Sequence, residues 1–363
     1  MRVKLKDITN YSKGSQVNSD CLIENGKYIY LNGGVNPSGK WNNYNVLSNT
    51  VTVSEGGNSS GYINYITEPF WCGAHCYYLF DGPKNTKYLY YALKSQQQRL
   101  FKLRSGACMP NIKKKDLGDF ELEFDFNEVI QNNIVNILDE CNKIIDNYHL
   151  ELELLDELIK ARFVEMFGSI HENRMYPYLN VKNLTTVYSG GTPNRKKTEY
   201  WENGTIPWVK TTELQNNHLS IIEECITKEG LENSSAKIIP AKSILIAMYG
   251  QGKTRGMTAF LDIASSTNQA CACLLSTTNI NMEYMWYYFQ FSYNKLRGLA
   301  EGGNQPNLNL NMIKNFPVLV PPTELQNQFV GFVRQVDKSK FEIQKSLEKT
   351  QELYDSLMQK YFG

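Results

Sequence analysis

The chain repeats one of its own segments without a gap. Residues Ile130–Gly168 lie over Leu325–Gly363 at a constant offset of 195, pairing Gln131 with Gln326, Ile134 with Phe329, Ile137 with Phe332 and Cys141 with Val336. The register continues through Tyr148 with Ile343, Leu152 with Leu347 and Ile159 with Tyr354, and closes on Phe167-Gly168 against Phe362-Gly363. Apolar residues at 130, 134, 137, 141, 144 and 148 step by 4, 3, 4, 3 and 4, which is the spacing of a coiled-coil seam. The series goes on at 152, 155 and 159, and the extra step of four predicts a stutter that locally relaxes the supercoil. Neither copy contains Pro, and Gly331 is the interior Gly. If helical throughout, each copy is a rod of about 60 Å at about 1.5 Å per residue. An ordinary pair of amphipathic core helices would show similar periodicity. The length, the gapless repeat and the place of each copy behind a globular segment favour an antiparallel two-helix spacer.

The net charge of +1 hides an asymmetry. Residues 1–126 carry 15 Lys and Arg against 11 Asp and Glu, and residues 182–322 carry 13 against 10. The first helical copy, 127–168, carries 3 against 9, whereas 323–363 balances 6 against 6. Mildly basic globes allow a phosphate-facing surface without demanding one. No apolar run is long enough to span a bilayer, so no transmembrane helix is predicted. Met1–Asp7 alternates charged and apolar residues and does not resemble a secretory signal. Eight scattered Cys in a chain of this length point to a reducing compartment, hence the cytoplasm.

The two globes share an order of features. In the first, β-prone runs at Tyr28–Leu31, Asn45–Leu47 and Thr50–Val53 lead to a Gly-rich loop, Ser54–Gly61. Strand-like Tyr62–Ile66 and Phe70–Phe80 follow, then a helix-like stretch, Thr86–Leu103, and the turn Pro110-Asn111. In the second, Ser243–Met248 feeds the loop Tyr249–Gly256, followed by Thr258–Leu261, Asn268–Cys273, helix-like Met282–Leu299 and the passage Gly303–Leu308. The predicted class is α+β, a tandem duplication. Its parts are a recognition globe at 1–126, a spacer helix at 127–168, a link at 169–180, a second globe at 181–322 and a second spacer helix at 323–363.

Gly250-Gln251-Gly252-Lys253-Thr254 invites a phosphate-loop reading, but Ala247 stands where the first Gly is required, and a strand rather than a helix follows. A turn whose small residues let backbone approach a nucleic-acid phosphate fits better. Gln251, Lys253, Thr254 and Arg255 are then candidate contacts, with Asn58, Ser59 and Ser60 in the first globe. The basic runs Arg195-Lys196-Lys197 and Lys113-Lys114-Lys115 are solvated faces or backbone contacts, and Arg195, Lys196, Lys197, Lys113 and Lys114 join the candidates. Cys72, His75 and Cys76, and Cys271 with Cys273, lack the second pair that zinc requires and read as buried apolar residues. No catalytic triad, nucleophile elbow or methyl-donor loop is visible, so the chain is not predicted to be an enzyme, and no metal is assigned to it.

Several passages together resemble the specificity subunit of type I restriction–modification systems. They are the globe–helix duplication, Ser189-Gly190-Gly191-Thr192-Pro193 with Tyr200-Trp201 and Ile206-Pro207-Trp208 behind it, Gly303-Asn304-Gln305-Pro306-Asn307, and the run from Phe316-Pro317-Val318 through Pro321-Pro322 into Glu324-Leu325-Gln326. The resemblance covers essentially the whole chain. It implies two target-recognition domains, each reading half of a split site in double-stranded DNA. It also implies helices that fix the distance between half-sites and bind two methyltransferase subunits, with motor-nuclease (restriction) subunits completing the complex. S-adenosylmethionine, ATP and Mg would act on those partners. The first half departs from the pattern: Tyr11–Ser15 replaces the Ser-Gly-Gly-Thr-Pro opening, and Glu121–Asp125 replaces the Pro-Pro junction. A protein-binding coiled-coil adaptor and a fused methyltransferase or nuclease are the alternatives.

Overall fold

The computed structural model describes residues 1–106, 109–169, 175–250, 252–300 and 306–363. Contacts gather them into two units, Met1–Glu151 with Ile343–Gly363, and Leu152–Glu342.

Unit 1 opens with β1 (Arg2–Lys4), the single turn α1 (Leu5–Ile8) and β2 (Asn10–Lys13). Then come β3 (Tyr28–Leu31), β4 (Gly39–Trp41), β5 (Thr50–Ser54), β6 (Ile63–Ile66), β7 (Trp71–Cys72) and β8 (Cys76–Phe80). Helices α2 (Thr86–Ser95), α3 (Gln97–Phe101) and α4 (Lys114–Gly118), strand β9 (Glu121–Glu123) and the long α5 (Glu128–Phe167) follow. The sheets order as β2-β8-β5-β6, β4-β3-β7 and β1-β9. Two sequence expectations change. Phe70–Phe80 is two strands, because a turn closes between them with Cys76 N–H on the Gly73 carbonyl at 3.2 Å. Thr86–Leu103 is two helices broken at Gln96, at φ −97° and ψ 16°. No Gly or Pro marks that break. Beyond it the second helix buries Leu100 completely.

Unit 2 runs β10 (Tyr178–Asn180), α6 (Val181–Leu184), β11 (Val187–Ser189), β12 (Ile206–Val209), β13 (Asn217–Leu219), β14 (Cys225–Ile226) and α7 (Lys228–Glu232). It continues with β15 (Ile244–Ala247), β16 (Thr258–Leu261), β17 (Ser266–Thr267) and β18 (Cys271–Leu274). Then come α8 (Met282–Phe291), α9 (Tyr293–Arg297), α10 (Leu310–Lys314), β19 (Pro317–Leu319) and α11 (Thr323–Phe362). The sheets order as β11-β18-β15-β16-β13, β14-β12-β17 and β10-β19. The stretch Met282–Leu299 breaks at Ser292 as its counterpart breaks at Gln96.

Each unit is tied off by the same two-strand clasp, β1 against β9 with Val3 opposite Leu122, and β10 against β19 with Leu179 opposite Val318. The first copy makes it without Pro-Pro. Each clasp hands over to its long helix through a buried glutamine: Gln131 donates to the Asp125 carbonyl at 2.5 Å and Gln326 to the Pro321 carbonyl at 2.8 Å. A buried amide left unbonded would be costly, so both positions demand this partner. Asn127 accepts from Val129 N–H at 3.0 Å at the start of α5, and Gly168, at φ +76°, ends it.

In unit 1 the first turns of α5 (Ile134, Val135, Leu138) share a core with Met358 and Phe362 from the far end of α11. In unit 2 Phe163 and Phe167, closing α5, share a core with Phe329, Val330, Val333 and Val336, opening α11. In each unit opposite helix ends meet, so the helices run antiparallel there. The seam keeps the expected positions 134, 141, 148, 152, 155 and 159 and departs from the expectation at 130, 137 and 144. Ile137 is 41% exposed, as are Ile130 and Ile144, whereas Leu138 is fully buried and Ile145 is 8% exposed. The inward-facing positions are 134, 138, 141, 145, 148, 152, 155 and 159. These step alternately by four and three, so the stutter expected at 148–152 is absent. The apolar stripe of α5 is two positions wide, and contact with the partner surface selects Leu138 and Ile145 over their neighbours. On α11, Val333 is buried and Phe332 half-buried. Cys141, Ile159, Phe329, Val336 and Leu347 are buried, and Tyr148, Leu152, Ile343 and Tyr354 half-buried.

Candidate nucleic-acid interface

In unit 2 the antiparallel pair β15–β16, with Ile246 opposite Thr258, is closed by the glycine loop. It is a hairpin, and the chain leaves it as strand, so the phosphate-loop geometry of a nucleotide hydrolase is not formed. Gly256, at φ +86°, donates its N–H to the Ala247 carbonyl at 2.8 Å. Gly252, at φ +63°, has open space where a Cβ would stand, so the tip backbone is bare. Leu308 N–H reaches the Met248 carbonyl at 3.0 Å, and Arg255 donates to the Pro306 carbonyl. The end of the Gly-Asn-Gln-Pro-Asn passage therefore lies on the loop. The Ser-Gly-Gly-Thr-Pro passage arrives at the same edge. Gly190 N–H bonds the Cys271 carbonyl at 3.1 Å and Gly191 N–H the Thr267 carbonyl at 2.8 Å, while Thr192 donates to Gln269. A Cβ on Gly190 would stand 2.2 Å from the Asn268 carbonyl oxygen, which is why glycine is required.

Unit 1 builds the same edge from different letters. Gly61, also at φ +86°, donates to the Ser54 carbonyl at 2.7 Å, and Gly57, at φ +76°, is again open. Ile112 N–H bonds the Glu55 carbonyl at 2.8 Å, bringing the Pro110-Asn111 turn onto the loop. Gly14 N–H bonds the Cys76 carbonyl at 3.2 Å and Ser15 N–H the Cys72 carbonyl at 2.9 Å. Tyr11–Ser15 therefore does the work of Ser189–Pro193. Gly57 and Gly61 align with Gly252 and Gly256 at the helix offset of 195, and the unit 2 loop is longer by two residues between its anchors. Asn58 and Lys253 consequently occupy equivalent, exposed tip positions. At the base of the first loop the Glu55 carboxylate accepts from Lys13 at 2.7 Å and lies 3.3 Å from His75 Nδ1.

Comparison with known proteins identifies the architecture. Residues 1–155 and 175–353 match the type I restriction modification DNA specificity domain. The chain belongs to that family. Putative type I specificity subunits of Mycoplasma genitalium and Mycoplasma pneumoniae are 33% identical over 153 residues and 32% over 160 residues, covering 41% and 43% of this chain and 40% of each relative. The EcoR124I/EcoR124II specificity subunit of Escherichia coli is 25% identical over 211 residues, 57% of this chain and 52% of that one. The chain thus spans about half or less of the length of the curated relatives it matches. A crystal structure of the M. genitalium type I system S subunit aligns over 100% of this chain and 96% of its own, with a TM-score of 0.63 at 21% identity. A structure reported for assembly and conformational transition of the type I system aligns over 99% and 96%, at 0.62 and 12%. Both show the fold.

Within this specificity-domain chain the candidate residues sort by what already holds them. Lys253 and Asn58 stand exposed at the loop tips, and Lys113 and Lys114 are exposed where the Pro-Asn turn enters α4. Lys196 is exposed. Thr254 is half-buried, and Gln251 lies outside the described residues, as do Gly303, Asn304 and Gln305. Ser60 is buried with its hydroxyl on the Glu55 carbonyl at 2.8 Å, and Ser59 donates to the Gly33 carbonyl at 2.6 Å. Both therefore shape the loop from within. Arg195 is also engaged: its guanidinium lies 3.6 Å from the Trp201 ring centre and 4.7 Å from that of Trp208, and pairs with Glu224. Lys197 donates to the Tyr200 hydroxyl at 3.0 Å. Both side chains fasten the aromatic cluster while staying about half exposed, at 50% and 49%. Cys72, Cys76, Cys271 and Cys273 are buried thiols, and burial pushes the Cys271 thiol up to about 12. Among the described residues no helix is long and apolar enough to cross a membrane.

Proposed function

We propose that this chain is the DNA-recognition subunit of a type I restriction–modification complex, without catalytic activity of its own. The carrying observation is that two units of one family close equivalent glycine loops on the same strand pair yet differ in loop length and place different side chains at the tip, Asn58 in one and Lys253 in the other. One scaffold with two tips suits two readers of unlike half-sites. The bare glycine tips allow close approach to phosphate, which positions, and the variable polar residues around them are of the types that read base edges. The long helices act as the spacer between half-sites and as the docking face for two methyltransferase subunits. Exposed Ile130, Ile137 and Ile144, left outside the seam on acidic α5, supply an apolar stripe for that docking. S-adenosylmethionine on those subunits, and ATP with Mg on motor-nuclease subunits, would complete the system.

Purified with its methyltransferase partner, the chain should protect two short DNA segments separated by an unread spacer. A single continuous footprint would count against the split-site reading, whereas no binding to duplex even at low salt would favour a protein-only adaptor.

A further inference from the structure

The carbonyls of both glycine loops are gripped from behind by guanidinium groups that the recognition reading does not use. In unit 2 Arg297, the last residue of α9, donates through Nη2 to the Gly252 carbonyl at 2.8 Å. Its Nη1 lies 2.7 Å from the Arg255 carbonyl and 3.2 Å from that of Lys253. Tyr293, one turn earlier, donates its hydroxyl to the Lys253 carbonyl at 2.6 Å and accepts from Arg297 at 2.8 Å. Gly256 makes room for this: a Cβ there would stand 3.0 Å from Arg297 Cγ.

Unit 1 solves the same problem separately. Arg104, just past α3, donates from Nε to the Ser60 carbonyl at 2.7 Å, and Gln97 donates to the Gly61 carbonyl at 2.6 Å while accepting from Ile63 N–H at 3.1 Å. Gln97 and Tyr293 are equivalent positions, but the arginines are not, since Arg297 corresponds to Phe101. Arg104 instead lies over the Phe101 ring, 4.1 Å from its centre. A guanidinium thus reaches equivalent carbonyls, Ser60 and Arg255, from two different places on the chain. Its sequence position has moved while its job has not.

We propose that Arg297 with Tyr293, and Arg104 with Gln97, are positioning residues that hold the glycine loops with carbonyls turned inward and amides outward, ready for a phosphate of the nucleic-acid backbone. The amides of Gly252, Lys253 and Thr254, and of Asn58 and Ser59, have no partner among the described residues. In unit 2 the clamp takes the Gly252, Lys253 and Arg255 carbonyls, while that of Thr254 accepts from Met257 N–H. In unit 1 it takes those of Ser60 and Gly61, while those of Gly57 and Ser59 accept from Ser60 and Tyr62 N–H. Successive unpartnered N–H groups suit an anion. In unit 2 the fork of an arginine is needed because Arg297 alone serves three carbonyls at fixed angles, which an ammonium does not reproduce. This inference rests on the DNA-recognition reading for its ligand but not for the clamp.

The test uses the full chain and needs no identified site. Lys253 and Arg255 make the loop a trypsin target, so loop fastening can be read as cleavage rate without DNA. Arg297→Ala should speed cleavage at Lys253 by about tenfold, with the melting temperature of the chain little changed. Binding of a fluorescent mixed-sequence 40-base-pair duplex at low salt should weaken by about tenfold, and Arg297→Lys should not restore it. Adding Lys253→Ala to Arg297→Ala should cost less than Lys253→Ala costs alone, because the loop is already misplaced. Unchanged cleavage, full rescue by lysine, or additive losses would overturn the proposal, the last by showing that Arg297 meets DNA itself. A wild-type chain that binds no duplex would sink the DNA reading, whereas faster cleavage of the Arg297→Ala loop would still support the clamp. Should Arg297→Ala fail to fold, Tyr293→Phe removes one hydroxyl and carries the same comparison.

Discussion

Leu138 and Ile137 are neighbours on α5 with opposite fates, and exchanging either for alanine tests which phase of the helix faces inward. Leu138 is fully buried beside Ile134 and Val135 in the unit 1 core. Truncating it loses the transfer free energy of its methyl and methylene groups and leaves a cavity, about 3 kcal/mol within a usual range of roughly 2–5. For a unit of about 170 residues, each kcal/mol moves the midpoint by about 2–4 °C, so Leu138→Ala should lower the unit 1 transition by about 6–12 °C. Ile137, 41% exposed, loses less buried surface, and alanine is the better helix former, so Ile137→Ala should change stability by no more than about 1 kcal/mol. Its expected effect is instead to loosen methyltransferase docking. Scanning calorimetry of the full chain, with urea unfolding to confirm an unchanged m-value, measures both. Equal losses, or the reverse ranking, would refute the packing and restore the 130–137–144 seam.

Two further outcomes follow from close approaches and charges. Gly190→Ala forces a Cβ to 2.2 Å from the Asn268 carbonyl oxygen and should cost about 1–3 kcal/mol in thermal unfolding, whereas Gly331→Ala, inside α11 with open space, should stabilise by roughly 0.5–1 kcal/mol. Lys87 and Asp139, 2.7 Å apart in unit 1, occupy the positions that Glu283 and Arg334, 2.6 Å apart, occupy in unit 2 with signs reversed. Lys87→Glu alone should lower stability by up to about 1 kcal/mol, since the pair is partly exposed. Adding Asp139→Arg should recover most of it, despite losing the Tyr91 hydroxyl bond to Asp139; no recovery would mean the pair contributes through that bond instead.

What could be read from the chain, and what could not, divides along physical lines. The duplication, the long helices and the glycine hairpins were legible because backbone periodicity and φ-permissive residues leave marks in sequence. The seam was legible at 134, 141, 148, 152, 155 and 159 but not at 137 and 144, where an adjacent Leu138 and Ile145 make the stripe two residues wide and only the partner surface chooses between them. Arg195 looked like a solvated charge, and nothing local announces that it lies against Trp201 and Trp208 and pairs with Glu224. Unit 1 looked irregular at its opening, but the Gly14 and Ser15 amides bond as those of Gly190 and Gly191 do, an equivalence carried by backbone rather than side chains. The clamp was invisible for the same reason: Arg104 and Arg297 do not align, and only their shared carbonyl target relates them.

The gapless match between the helices has a cause in packing at both their ends. Each helix begins in the core of the unit that precedes it, through Leu138 in one and Val333 in the other. Each then ends on a tyrosine of the other copy: Phe167 meets Tyr284 and Phe362 meets Tyr88, ring centres 5.2 Å apart in both cases. Such edge-on or tilted aromatic pairs contribute about 0.5–1.5 kcal/mol beyond burial. One residue inserted between the two docks would rotate the far end by about 100° and carry the closing phenylalanine off its tyrosine. The globes carry no such double constraint, since each loop needs only its own clasp, clamp and glycines, and their side chains are free to differ. Helices anchored at both ends in this way accept seven inserted residues, which restore the facing to within about 20° and add about 10 Å, far more readily than one.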